Sequence, residues 1–213
     1  MKPLEFIEEV KTQNLGPTVF IIGGGPSLLK TIPDKNILNG KTIINTNNAY
    51  TLFPNALATQ FADRIWWSWH RDKLQAQFSG TVTTSMAGSS ANFQDMENAG
   101  VVVFGHGDRK GGISTEKHKL NSNNAGNQAI NLAVHCGFQN IILLGFDMNP
   151  TDSKTQWHSD HKRITDKNQY EGTMIPGMKM VVPMQETLNF KVYNANPESN
   201  LKCFQFTNLN EWV

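Results

Sequence analysis

Two histidines stand close together in Trp157-His158-Ser159-Asp160-His161, inside a stretch crowded with polar side chains. An imidazole titrates near neutral pH, so such a pair can supply one general base and one phosphate contact. With Asp160 or Asp147 beside them, the same two rings could instead ligate a metal. A second feature lies far upstream, where Gly23-Gly24-Gly25-Pro26-Ser27-Leu28 follows directly on Val19-Phe20-Ile21-Ile22. Three glycines clear every Cβ from the approach of a ligand and let the backbone turn sharply. A helix opening at Pro26 would turn its free N–H groups back toward the loop, which is a phosphate-binding arrangement. Position 28 is Leu, so this is not the dinucleotide fingerprint, and it lacks the Gly-Lys-Ser/Thr of a Walker loop.

Amides and carboxylates follow other apolar runs. Asn45-Thr46-Asn47-Asn48 and Asn123-Asn124-Ala125-Gly126-Asn127 offer side chains that both donate and accept, which suits a pyrimidine edge or a ribose. Asp63 follows the run 57–61, and Asp147 follows four large aliphatics at 141–144. A carboxylate emerging there is a candidate for function. Structural alternatives stand beside each of these: a tight strand–helix turn for the glycines, caps and turns for the amides, a solvated loop for the histidines. Trp66 and Trp67 fit a helix packing its aromatic face on a sheet better than a stacking platform.

The elements that would position these residues are short, continuous apolar runs at 18–22, 41–45, 57–61, 81–84, 100–104, 140–144 and 191–193, read as strands buried on both faces. Helical patterns fall at 4–11, 27–31, 91–98, 127–136 and 184–190. Strands alternating with helices predict a Rossmann-like α/β fold, a mostly parallel sheet of about six to seven strands with helices on both faces. In such sheets, ligands bind at the carboxyl ends of the strands. The polar segment 149–180 interrupts the pattern and is expected to form a lid on a single domain spanning 1–213.

Composition narrows the class. The chain is polar without being charged: mean hydropathy is −0.41, only 17% of residues are charged, and 23 are Asn. A net charge of +1 gives no strong nucleic-acid signal. The longest apolar runs, at 101–104 and 141–144, are far short of a membrane span. Cys136 and Cys203 are widely spaced without a metal pattern, which suits a reducing cytoplasm. A homo-oligomer remains open.

Taken in order, these motifs resemble the small bacterial sialyltransferases of glycosyltransferase family 42. Ile22 to Leu28 resembles their Gly-Asn-Gly-Pro-Ser-Leu loop, and Thr46-Asn47-Asn48-Ala49-Tyr50 their Cys-Asn-Gln-Phe-Tyr. Asn124-Ala125-Gly126 is similar to their Thr-Ser-Gly, Leu144-Gly145-Phe146-Asp147 to their Ser-Gly-Ile-Asp, and the stretch from Val192 to Ser199 to their Leu-Tyr-x-x-x-Pro-x-Ser. A closer likeness, through Gly126-Asn127-Gln128-Ala129, Gly145-Phe146-Asp147-Met148 and Trp157-His158-x-x-His161, is to short, mostly phage-encoded proteins grouped with 6-hydroxymethylpterin diphosphokinase. A phage origin would make the compartment the host cytoplasm.

The resemblance implies transfer of a sugar from a nucleotide-activated, CMP-sugar-like donor to the hydroxyl of a small-molecule or glycan acceptor. Gly23, Gly24, Gly25, Ser27, Asn47, Asn48, Asp63, Asn124, Gly126, Asn127 and Ser199 would bind substrate, with Tyr170 supporting the leaving phosphate. His158 or His161 would be the base, and Asp147 would bind the donor or position the acceptor. No metal or other cofactor is required on that reading. The alternatives are a diphosphokinase using Mg²⁺, held by Asp147, Asp152 and Asp160, and a non-catalytic phage accessory protein. Two departures from the family pattern are visible: Gly24 replaces the loop's central Asn, and Asp63 stands where an Asn is expected.

Overall fold

The computed structural model describes residues 1–87, 93–122, 124–149, 155–160 and 166–213. Its strands are β1 (Thr18–Ile22), β2 (Ile43–Thr46), β3 (Ala58–Phe61), β4 (Thr81–Ser85), β5 (Val102–His106), β6 (Lys119–Leu120), β7 (Asn140–Leu144), β8 (Lys191–Asn194) and β9 (Gln205–Phe206). They form one nine-stranded sheet in the order β6-β5-β4-β3-β2-β1-β7-β8-β9, with every neighbouring pair parallel. The α/β fold is the one expected, with more strands than six to seven. The additional ones, β6 and β9, are the outermost and too short to leave an apolar run.

The apolar strands are buried on both faces because side chains alternate across the sheet. Val19 and Ile21 of β1 join one core with Phe6 and Ile7 of helix α1 (Pro3–Thr12) and with Ala129 and Ile130 of α5 (Ala125–His135). Phe20 and Ile22 join the opposite core with Leu28 of α2 (Leu28–Thr31). Helix α3 (Arg64–Gln77) buries Trp66, Trp67 and Leu74 in a third cluster with Tyr50 and Phe61.

Several helices depart from expectation. α5 begins at Ala125 rather than 127, because Asn124 caps it, accepting from the Gly126 and Asn127 N–H groups at 2.7 and 3.1 Å. α4 covers Gln94–Asn98; residues 91 and 92 of the expected helix lie outside the described residues. Within 149–180, residues 167–179 are helical: α6 (Lys167–Gln169), a π-helical turn Tyr170–Met174 and α7 (Ile175–Lys179). Asp166 and Gln169 start that run with a reciprocal capping box. The last α-helix, α8 (Met184–Thr187), stops short of 190, before Asn189 at φ 54°.

The chain builds outward from β1 to β6, then returns to place β7 on the other side of β1. The β1–β7 seam is therefore the point where strand order reverses, the place where such sheets bind ligands. Ile22 pairs in register with Leu144, so the loops that begin at Gly23 and Gly145 leave the sheet side by side. No helix among the described residues is long and apolar enough to cross a membrane.

Candidate functional site

A cleft of about 570 Å³ opens at the carboxyl ends of the strands over this seam. Gly23, Gly24 and Gly25 line it from the loop after β1, Asn47 and Asn48 from the turn after β2, and Asp63 from the end of β3. Asn124 and Gly126 reach it from the start of α5, Asp147 from the loop after β7, and His158 and Tyr170 from the 149–180 segment. Sequence positions as far apart as Gly23 and Tyr170 thus meet in one place. Ser27, Asn127 and Ser199 do not line the cleft, and His161 lies outside the described residues.

The glycine loop is built differently from the phosphate cradle that its sequence suggested. None of Gly23, Gly24 and Gly25 has a positive φ. The β7 loop lies against Gly23 and Gly25: their N–H groups donate to the carbonyls of Leu144 and Gly145 at 2.7 and 2.8 Å, and a Cβ on Gly23 would collide with the Gly145 carbonyl. A Cβ on Gly25 would stand 1.9 Å from Asp147 Oδ2. The following helix is only four residues long, and the Ser27 N–H donates to Asp147 Oδ2 at 3.0 Å. The protein's own carboxylate therefore occupies the place expected for phosphate. Gly24 is the loop residue whose amide carries no such bond among the described residues.

Asp147 is 2% exposed. Asn196 Nδ2 donates to its other oxygen, Oδ1, and the Asn200 N–H donates to its carbonyl at 2.8 Å. Burial pushes the Asp147 carboxyl above its usual range, and the hydrogen bonds from Ser27 and Asn196 work against that rise. Asp147 thus ties the loops after β1, β7 and β8 together at the floor of the cleft. Ser199 supports the same corner from behind, donating from Oγ to the Phe146 carbonyl at 2.6 Å. Met148, next in the chain, has φ 53°, a conformation that non-glycine residues rarely adopt.

The amides divide into two groups. Asn47, half-buried at φ 48°, and Asn124 stand at the cleft wall, although the Asn124 carbonyl oxygen is engaged in capping α5. Asn45 and Asn127 are buried and structural: their Nδ2 atoms donate to the Phe53 and Gly177 carbonyls at 2.9 and 3.1 Å. Gly126 is glycine because a Cβ there would meet the Phe146 ring at 2.6 Å. α5, eleven residues long, directs its positive end into the cleft. Asp63 caps α3 by accepting the Ile65 N–H at 2.7 Å.

The segment bearing His158 makes contacts on both sides. Before it, the Trp157 N–H donates to the Gly24 carbonyl at 3.0 Å; after it, Asp160 pairs with Lys73 of α3 at 3.8 Å. His158 Nδ1 faces Asn48 Nδ2 at 3.4 Å, and Asn48 Oδ1 accepts from the Trp66 indole at 2.6 Å. Trp66 and Trp67 are buried, as packing residues; Trp67 stacks on Phe61 with centroids 5.4 Å apart. Sequence reasoning missed Asn196 and the Trp66–Asn48 bond. It could have flagged Asn196, whose strand-end position after 191–193 mirrors that of Asn47. Among the described lining residues, the charged side chains are Asp63 and Asp147, with no Lys or Arg.

No family model matches this chain, and no curated protein matches its sequence. Two solved structures are similar to it in fold. A monofunctional α-2,3-sialyltransferase, Cst-I, from Campylobacter jejuni superposes with a TM-score of 0.59 at 15% identity, covering 91% of this chain and 81% of that one. An α-2,3-sialyltransferase from the same organism, in apo form, gives a TM-score of 0.55 at 16% identity, with coverage of 92% and 81%. The chain shares the Rossmann-like fold of these glycosyltransferases.

Proposed function

We propose that the cleft binds a nucleotide-activated sugar and that the protein transfers the glycosyl group to an acceptor hydroxyl. The observation that supports this best is the convergence, on one cleft at the strand-order reversal of a sialyltransferase-like fold, of a glycine loop, neutral amides, a helix N-terminus and a histidine-bearing segment. In the reaction, the bond from the anomeric carbon to a phosphate oxygen breaks and the nucleotide leaves with the electron pair. The acceptor oxygen forms the new bond, and its proton passes to a base. His158 and Tyr170 line the same cleft and would support the leaving phosphate, and the side chain of Asn47 is suited to read a base or ribose. The Gly24 amide and the α5 terminus would hold phosphate, in a cleft whose described lining residues include no Lys or Arg.

Diphosphate transfer would need carboxylates to hold Mg²⁺. Asp147 is engaged by Ser27 and Asn196 and Asp160 by Lys73, while Asp152 lies outside the described residues. Incubating the protein with a panel of nucleotide sugars and following nucleotide release, with and without glycan acceptors, tests the transferase directly. Acceptor-dependent release from one donor supports it; no release from any donor counts against it.

A further inference from the structure

The proton on His158 can be placed from the group that its Nδ1 meets. The Trp66 indole Nε1–H is a donor and nothing else. The Asn48 atom that it meets at 2.6 Å must therefore be the carbonyl oxygen, which fixes the flip of a side chain only 2% exposed. The Asn48 amino group then faces His158 Nδ1 at 3.4 Å. An amino group also only donates. A proton on Nδ1 would set two N–H groups head to head, so Nδ1 carries the lone pair and a neutral ring carries its proton on Nε2.

We infer that Trp66 and Asn48 are positioning residues that hold His158 as its Nε2–H tautomer, so that His158 acts as a hydrogen-bond donor and not as the base. Resting on the transferase reading, the recipient is a phosphate oxygen of the donor nucleotide, where negative charge builds as the glycosyl bond breaks. At Nε2 such a ring offers a proton and no lone pair. At Nδ1 its lone pair is turned to the Asn48 amino group. The acceptor's proton must then go to another group. The surroundings hold the arrangement: Trp66 is buried and stacked on His70 at 4.8 Å between centroids, and the backbone at Trp157 is tied to Gly24.

The test is long-range ¹⁵N–¹H correlation of the imidazoles in the full chain at about pH 8, where histidine rings are neutral. His158→Gln identifies the resonance. The expected result is an unprotonated Nδ1 and a protonated Nε2 in the wild type. In Asn48→Asp, whose carboxylate can only accept, the proton should move to Nδ1. In Trp66→Phe, which frees the Asn48 amide to flip, the two tautomers should mix. A wild-type His158 protonated on Nδ1 overturns the inference, even if neither variant folds. So does a tautomer that Asn48→Asp and Trp66→Phe, when folded, both leave unchanged. No ligand is needed, so failure here is distinct from failure of the transferase reading, which shows as absence of nucleotide binding.

Discussion

The Asp147 carboxylate accepts the backbone N–H of Ser27 at 3.0 Å, across 120 positions of sequence. It joins the two loops that flank the reversal of strand order, and Asn196 brings in a third. Asp147→Ala leaves the Ser27 N–H and the Asn196 amide buried without an acceptor. Each such loss costs about 1–3 kcal/mol, offset in part by removing a buried charge. A net loss of about 2 kcal/mol is expected in urea unfolding. The pH dependence has a definite sign. The folded Asp147 holds its proton more tightly than the unfolded chain, so the native state binds more protons between the two pKa values. Its contribution is fully present below the unfolded value and declines as pH rises through the folded one. The deficit of Asp147→Ala against wild type should therefore be larger near about pH 4 than near about pH 7. An equal or smaller deficit at acid pH would contradict the assignment.

Gly24 and Gly25 separate space for a ligand from space filled by protein. A Cβ at Gly25 meets Asp147 Oδ2 at 1.9 Å, while one at Gly24 meets only the end of the Gln156 side chain, at 3.0 Å. Gly25→Ala is expected to lose about 2 kcal/mol or more by displacing Asp147. Gly24→Ala should stay within about 1 kcal/mol of wild type. Paired urea melts distinguish them, and equal costs would mean that the loop does not pack as described.

His135 lies in α5 with Nε2 3.1 Å from the Lys119 carbonyl. Burial pushes its pKa below the ordinary 6.5, with Lys117, Lys11 and His118 acting in the same direction and the Lys119 carbonyl opposing. The unfolded chain takes the proton first, so stability falls as pH drops below about 6.5. His135→Gln, which keeps a donor for the carbonyl, should flatten this limb in melts between about pH 7 and pH 5. An unchanged limb would assign the loss elsewhere.

His158→Ala should reduce turnover of the best donor by about 10²–10³-fold, the cost of losing one donor to developing negative charge, while leaving the melting temperature near wild type, because the ring is half-buried at the cleft wall. Activity that survives the substitution would remove His158 from the chemistry.

Much of this architecture can be read from the chain because β1 and β7 are apolar on both faces, and such strands declare themselves as unbroken runs. β6 and β9 do not, since two residues of pairing leave no pattern and both β9 side chains are exposed. The loops at the cleft were legible for the same reason as the strands: position just after an apolar run marks the binding edge. What lay hidden was long-range pairing. Nothing in local spacing joins Asn196 to Asp147 or Trp66 to Asn48, and the glycine loop reads as a ligand cradle until Asp147 is seen against it. The surplus of uncharged polarity also divides. Asn47 and Asn124 face the cleft, whereas Asn121, Asn127 and Asn131 are buried and bond the backbone of residues 111–121 and 177.

The most direct measurement is a thermal-shift series with nucleoside monophosphates and nucleotide sugars, repeated with Gly24→Leu. At about one hundred times its dissociation constant, a ligand of this cleft adds about 2.7 kcal/mol, a rise of roughly 5–10 °C for a chain of this size. A pyrimidine nucleotide or its sugar conjugate should give that rise in the wild type, and Gly24→Leu, whose Cβ would meet only the end of the Gln156 side chain at the cleft wall, should abolish it. No shift with any nucleotide or nucleotide sugar would contradict the assignment of this cleft to a nucleotide-activated donor.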